Sequence, residues 1–206
     1  NAGYAVMGAF ETLSEAQIRR QFDTNVFGLM AVSRAILPHF RQQRGGILIN
    51  VASMVGRIPL PLYSVYNASK SAVEGYTEGL SYELEEFDVR VKIIEPGAVR
   101  TDFFGRSSDR GNGTGEQAYQ RYSTDQLAVM DGIGASGSDS EEAARVIWRA
   151  ATDGSTRLRY SVGLDARALL TARRLLPDSL FRSMIRMSLS PVAYNSIGRL
   201  LYRQQA

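Results

Sequence analysis

The feature that most constrains this fold is the alternation of short apolar segments with longer amphipathic ones. Segments 47–51, 89–94 and 158–162 are apolar runs that predict buried strands, and helical patterns occupy about 66–86 and 138–153. Strands separated by helices form parallel sheets with right-handed crossovers. The sequence therefore predicts an α/β fold with a doubly wound parallel sheet.

The first 40 residues predict a long helix that begins at a capping box. Ser14 and Gln17 have the spacing at which two such side chains bond the first backbone groups of a helix. An apolar stripe follows, and Asn25 lies in the middle of it; the stripe consists of Ile18, Phe22, Leu29, Val32 and Ile36. A buried amide without partners costs about 1–3 kcal/mol. Asn25 is therefore either a structural amide or a polar group kept for a water or a neighbouring active site.

Composition excludes several kinds of active site. The 206 residues contain no cysteine and one histidine, His39, so thiolate chemistry, disulfides and multi-histidine metal sites are excluded, and we expect no metal. No apolar run reaches the roughly 18 residues of a membrane span. The net charge is +3, and the residues from Arg157 onward are rich in arginine. We expect a cytoplasmic protein with no nucleic-acid partner.

Polar residues gather where predicted strands end. Ser53 follows one buried strand, and Pro96-Gly97 ends the next, with Thr101 just beyond. Ligands of open α/β sheets bind at this carboxyl edge. Tyr66 and Lys70 are one helical turn apart, and a neighbouring ammonium lowers the pKa of a phenol. Taken singly, each residue is equally consistent with an ordinary turn or a solvated helix face.

Together these residues resemble the short-chain dehydrogenases/reductases. Tyr66-Asn67-Ala68-Ser69-Lys70 is similar to the YxxxK motif of that family, and Ser53 and Asn25 stand where the family has its other two catalytic residues. Asn1-Ala2-Gly3 resembles the NNAG motif without its first residue. Pro96, Gly97, Val99 and Thr101 resemble the PG-x-V-x-T segment that contacts nicotinamide.

The resemblance implies an oxidoreductase that moves a hydride between NAD or NADP and a carbonyl or alcohol. Tyr66 would exchange the proton with the substrate oxygen, and Lys70 would lower the pKa of Tyr66 and hold the nicotinamide ribose. Ser53 would hydrogen-bond the substrate oxygen, and Asn25 would hold a water in a proton relay. The cofactor-binding residues it implies are Asn1, Ala2, Gly3, Tyr66, Lys70, Pro96, Gly97, Val99 and Thr101.

One departure from the family is large. Its glycine-rich TGxxxGxG turn is absent from these 206 residues. We therefore expect a Rossmann-like domain that lacks its first strand–helix units, on the order of 80 residues, and little activity from the isolated chain. The alternative is a non-catalytic binding module of the same fold or an inactive fragment. The intact set of Asn25, Ser53, Tyr66 and Lys70 favours the enzyme.

The remaining expectations concern organisation and partners. Residues 1–165 are expected to form the oxidoreductase domain, with a mobile substrate loop at about 103–138, and 166–206 a basic helical tail. The tail would cap the substrate cleft or a subunit contact, and a membrane surface is the less favoured interpretation.

Aromatic and aliphatic residues near the catalytic positions suit a lipophilic carbonyl or alcohol. A small-residue strip on the second helix predicts a homodimer or homotetramer through Ala68, Ala72, Gly75 and Gly79.

Overall fold

Our computed structural model of the chain describes residues 1–111 and 117–190. Its strands are β1 (Ala5–Met7), β2 (Gly46–Val51), β3 (Val89–Pro96), β4 (Ser108–Arg110) and β5 (Arg159–Val162). Its helices are α1 (Glu15–Phe22), α2 (Gly28–Gln43), α3 (Ser64–Glu85), α4 (Phe103–Arg106), α5 (Gln117–Ala135), α6 (Ser140–Thr152), α7 (Leu164–Leu175) and α8 (Asp178–Ser188).

Three strands form the parallel sheet that the sequence predicts, in the order β2-β3-β5. Leu48 pairs with Val91, and Ile94 pairs with Tyr160. The predicted α/β fold with a parallel sheet is confirmed. The strands β1 and β4 form a second, two-stranded parallel sheet that the sequence did not predict. Each has three residues, which is too short for a recognisable apolar pattern.

Helices cover both faces of the three-stranded sheet. Alternate residues of β3 point to opposite faces, as the pleat requires. Val89 and Val91 pack with Leu80 and Leu84 on one face, which α2 and α3 cover. Ile94 packs with Val146 on the other face, which α6 covers. This layering leaves the carboxyl ends of the strands accessible for a site.

The first long helix contains a π turn. Its capping box is confirmed, because Gln17 N–H donates to Ser14 Oγ at 3.2 Å and the Gln17 side chain accepts from Ser14 N–H at 3.0 Å. A π-helical turn at Asp23–Phe27 then joins α1 to α2. The wider turn shifts the apolar register, so Ser33 is buried and Val32, which the predicted stripe included, is 69% exposed.

The segment predicted as a substrate loop is largely ordered secondary structure. Between 103 and 138 the structure has α4, β4 and the long helix α5, with residues 112–116 outside the described part. Val129 and Met130 of α5 are buried in the main apolar cluster. Glycine and serine are frequent around residue 110, and the apolar pattern of helix α5 begins only after them. The sequence therefore did not reveal this helix. The expectation of irregular structure over the whole segment is therefore wrong, whereas its role as a substrate loop stays a prediction.

The basic tail packs back onto the domain. Phe181 is 3% exposed and lies in the same apolar cluster as Tyr63 and Tyr66, with Met184 and Ile185 against it. Arg173 of α7 stacks over the Phe181 ring at 5.1 Å. None of the helices in the described ranges combines the length and apolar composition of a membrane crossing. The predicted tail helices thus serve as a cap on the domain; residues 191–206 lie outside the described part.

We expect Phe181→Ala to lower the free energy of unfolding by about 3–4 kcal/mol, because it empties a large site in the core. The neighbouring variant Leu180→Ala is the matched control, since Leu180 is 58% exposed, and should cost less than about 1 kcal/mol. Urea unfolding of both variants measures the difference. Equal effects at the two positions would contradict the packing of α8 as a cap.

Candidate active site

The site lies where β2 and β3 end. Ser53 follows β2 and caps the 3-10 turn Met54–Gly56 with its hydroxyl. The same hydroxyl donates to the Pro96 carbonyl at the end of β3, at 3.3 Å. Parallel strands that end at one edge thus bring Ser53 and Pro96 together, as the sequence predicts for this edge.

Helix α3 delivers Tyr66 and Lys70 to the same edge. Tyr66 is in the first turn of α3, and Lys70 follows one turn later on the same face. Both are buried, at 7% and 5% exposure. Lys70 Nζ donates to the Val51 carbonyl at 2.9 Å and lies 5.9 Å from the centre of the Tyr66 ring. The structure therefore brings Ser53, Tyr66 and Lys70 to one place.

Burial controls the protonation of the phenol. It raises the pKa of Tyr66 far above its usual value, because a phenolate would lose its hydration, and a hydrogen bond with Ser53 opposes this rise. The sequence predicts that Lys70 lowers the pKa of Tyr66. The structure does not show this effect of Lys70 on the Tyr66 pKa. The phenol is consequently protonated at neutral pH, which is the state that a proton donor requires.

Lys70 is an ammonium in a site that disfavours charge. Burial lowers the pKa of Lys70 to about 8, and the carboxylate of Glu74 acts in the opposite direction. Lys70 is therefore largely protonated at pH 7 and loses its proton at mildly alkaline pH. Among the described residues, the hydrogen-bond acceptor of Nζ is the Val51 carbonyl, and an ammonium has three donors.

Asn25 lies one layer behind these residues. Its carboxamide accepts from Tyr4 N–H at 2.9 Å and donates to the Tyr4 carbonyl at 2.9 Å and to Ser69 Oγ at 3.1 Å. Gln21, one turn earlier, bonds Val6 N–H and the Tyr4 carbonyl in the same way. Both amide hydrogens of Asn25 are thus taken by protein atoms. The side chain acts as a structural amide here, and the water-holding role remains a prediction.

The segments expected to bind cofactor have different surroundings. A Cβ added to Gly3 would lie 4.0 Å from Lys70 Nζ, so Asn1-Ala2-Gly3 runs beside Lys70. Gly97 is required for a local reason, because a Cβ there would overlap the Asp165 carboxylate, which accepts from Ala98 N–H at 2.8 Å.

The rest of the second segment runs away from the site. Val99 is half-buried in the cluster beside α6, where it bridges to Ser138. Thr101 is exposed, and its hydroxyl accepts from Phe103 N–H at 3.3 Å. Cofactor contacts by Val99 and Thr101 therefore stay predictions.

Aromatic side chains lie close to the phenol. The rings of Tyr63 and Phe103 lie 5.9 and 5.8 Å from the Tyr66 ring. A groove of about 850 Å³ is lined by Pro59 and Pro61 and by residues of α5, α7 and α8, and Ser53, Tyr66 and Lys70 are not among its lining residues. Phe181, Ile185 and Leu189 form its apolar wall, and arginines of α7 and α8 line its rim.

A buried charged network was missed in the sequence. Glu74, one turn after Lys70, pairs with Arg159 of β5 at 3.1 Å. Arg159 also pairs with Glu78 at 2.8 Å, and Arg57 pairs with Glu95 of β3 at 3.1 Å. The sequence did contain a signal for this network, namely charged residues inside strands whose other residues are apolar. Buried charges require partners, so such residues predict ion pairs.

Comparison with known proteins identifies the family. Residues 1–112 match the profile of the family described as short chain dehydrogenase. This match covers more than half of the chain. It includes Asn25, Ser53, Tyr66, Lys70 and the segment after Pro96. The chain belongs to the short-chain dehydrogenase family.

Individual relatives agree. An uncharacterized oxidoreductase of Schizosaccharomyces pombe is 37% identical over 185 residues, which are 88% of this chain and 75% of that protein. The uncharacterized oxidoreductase YusZ of Bacillus subtilis is 34% identical, over 92% of this chain and 69% of its own. The crystal structure of a short-chain dehydrogenase from Streptomyces avermitilis superposes with a TM-score of 0.75 at 31% identity, covering 98% of this chain and 69% of that one.

We expect Asn25→Ala to lower the free energy of unfolding by about 2 kcal/mol, because it leaves the buried N–H of Tyr4 without its acceptor and removes one of the two amide donors to the Tyr4 carbonyl. Gln43→Ala is the control, since Gln43 bonds a backbone carbonyl at an exposed position. Thermal unfolding followed by circular dichroism measures both. A stable Asn25→Ala protein would show that the amide is not structural and would favour the water relay.

Proposed function

We propose that this chain carries the catalytic half of a nicotinamide-dependent carbonyl reductase, with Tyr66 as the proton donor. The observation that carries the proposal is a buried, protonated phenol at the carboxyl edge of the sheet, with the Ser53 hydroxyl and the Lys70 ammonium beside it. A protonated phenol suits reduction of a carbonyl, whereas alcohol oxidation begins with the phenolate.

The cofactor is NAD or NADP. The residues fit its nicotinamide half, because Lys70 has donors beyond the one that Val51 accepts, and Gly3 leaves the backbone open beside it. Structures with the same fold support this choice, namely a Burkholderia cenocepacia short chain dehydrogenase in complex with NADP and a Burkholderia phymatum one in complex with NAD. When bound, the cofactor supplies the hydride.

The residues of this chain supply orientation and the proton. The Ser53 hydroxyl turns its one proton from the Pro96 carbonyl to the substrate oxygen and so holds that oxygen near Tyr66. The Tyr66 hydroxyl gives its proton to that oxygen as negative charge develops there. The resulting phenolate is buried, and the Lys70 ammonium, 5.9 Å from the ring, is the nearby positive charge that stabilises it.

The substrate class is a lipophilic carbonyl compound. Tyr63 and Phe103 beside the Tyr66 ring, and the apolar wall of the groove along α8, provide surfaces that suit an apolar ligand. A relative named 3-ketodihydrosphingosine reductase, from Bacteroides thetaiotaomicron, is 40% identical over 103 residues, or half of this chain. We also expect a homodimer or homotetramer, because Gly75 and Gly79 of α3 face open space.

We expect Tyr66→Phe to reduce turnover by at least about 100-fold, because it removes the proton donor and keeps the ring. The matched control is Tyr63→Phe, which removes a hydroxyl from the neighbouring ring and should retain most of the rate. The assay follows NAD(P)H oxidation with a long-chain ketone, using this chain and any longer natural form that contains it. Half the wild-type rate in Tyr66→Phe would refute the assignment.

We expect Lys70→Ala to weaken nicotinamide-nucleotide binding, to lower turnover and to remove the alkaline limb of its pH profile. The variant loses the donors to the ribose, the positive charge that would stabilise the phenolate formed during turnover, and the group whose deprotonation limits the reaction at alkaline pH. Fluorescence titration with NADPH and rate measurements across pH test the effects on binding and on turnover separately. Unchanged affinity together with an unshifted pH profile would show that Lys70 has neither role.

A further inference from the structure

The network behind the catalytic lysine joins three structural elements. Glu74 and Glu78 of α3 both contact Arg159 of β5, at 3.1 and 2.8 Å. Arg159 lies 3.9 Å from Glu95 of β3, which pairs with Arg57 at 3.1 Å. The network therefore links α3, the helix that carries Lys70, to β3 and β5.

One oxygen of this network has no partner. Glu74 is 5% exposed, and its Oε1 is buried without a hydrogen bond in the described part of the structure. Gly56 packs directly on this turn of α3, since a Cβ there would lie 2.9 Å from the Lys70 carbonyl and 3.1 Å from Glu74 Cγ. The Arg159 contact does not explain why a carboxylate oxygen of Glu74 is buried without a partner.

The charges of this network do not balance by themselves. The network contains the three carboxylates Glu74, Glu78 and Glu95 and the two guanidinium groups Arg57 and Arg159. When all are ionised, one negative charge is in excess. Helix α3 carries one lysine, Lys70, which lies one turn before Glu74 on the same helical face and is equally buried. Lys70 completes an equal number of positive and negative charges.

We propose that Glu74 is a positioning residue that keeps the buried Lys70 ammonium charged and so extends the reaction to alkaline pH. This inference rests on the proposed role of Lys70 in proton transfer. Glu74 itself touches neither substrate nor cofactor in this scheme, and it acts only through the lysine.

The titration behaviour of the two groups agrees with this role. Burial, and then the nearby Glu95, raise the pKa of Glu74 to about 7, whereas Arg159 and Arg57 lower it. Burial lowers the pKa of Lys70 to about 8, and Glu74 raises it. Glu74 is thus ionised above about pH 7, in the range where Lys70 would otherwise lose its proton. Glu78, Glu95, Arg57 and Arg159 are the other charged groups of the network around Glu74.

The chain offers a direct measurement of this effect, because it contains only two lysines, Lys70 and Lys92. The side-chain nitrogens of isotope-labelled lysine can be titrated by NMR, and a Lys92→Arg variant assigns the two signals. We expect Glu74→Gln to lower the titration midpoint of Lys70 by about 1 pH unit. The Lys92 signal, which belongs to a separate contact with Asp153 and Tyr160, serves as the internal control.

Two further variants separate this role from a purely structural one. Glu78→Gln removes another carboxylate from the same Arg159 but one turn further from Lys70, and should leave the Lys70 midpoint in place. Glu74→Asp retains the charge and should stay close to the wild type. An unchanged midpoint in Glu74→Gln, or an equal shift in Glu78→Gln, would overturn the proposal.

The NMR titration needs no turnover, so it is independent of whether the chain reduces carbonyls. Where turnover is measurable, the alkaline limb of the pH profile should move down in Glu74→Gln by the same amount as the Lys70 midpoint. A shifted midpoint with an unshifted limb would keep the electrostatic coupling between the two side chains and reject the role of Lys70 in proton transfer.

Discussion

The structure depends on keeping a lysine ammonium buried at the edge of a parallel sheet. An isolated charge in such a place is costly unless it has hydrogen bonds and a partner charge. The Val51 carbonyl at the end of β2 accepts a hydrogen bond from Lys70 Nζ at 2.9 Å. The partner charge comes from the carboxylates of the network around Glu74. The placement of α3 against β2 and β3 thus satisfies the lysine and, with it, positions the tyrosine one turn earlier.

Buried polar groups elsewhere near the site follow the same rule. Strand β1 pairs with β4 on one edge, and the amides of Gln21 and Asn25 bond backbone groups of Tyr4 and Val6. These side-chain amides bond the backbone as a neighbouring strand would, since each offers both a donor and an acceptor. This arrangement fixes the segment Asn1–Gly3 beside Lys70.

Under the proposed mechanism, the protonation states favour carbonyl reduction. Burial keeps the Tyr66 phenol protonated, and the same burial lowers the pKa of Lys70. Because that mechanism requires the proton donor and the ammonium together, we expect its useful pH range to end where Lys70 deprotonates. The apolar groups that create this burial, among them Tyr63 and Phe103, also form the surface that a lipophilic substrate would meet.

Local patterns in the sequence were enough to predict the three-stranded sheet, α3 and the capping box at Ser14, because apolar periodicity and capping depend on neighbours within a few residues. The spacing of Tyr66 and Lys70 likewise placed both on one helical face. The tertiary structure decided the rest. It inserted the π turn at Asp23–Phe27 and folded 117–135 into a helix. It also bonded Asn25 to a backbone 21 residues away and paired Glu74 with Arg159 across 85 residues. Whether a buried amide or carboxylate is structural or functional depends on its partners, and partners so distant in the chain leave no local pattern by which the sequence alone could reveal them.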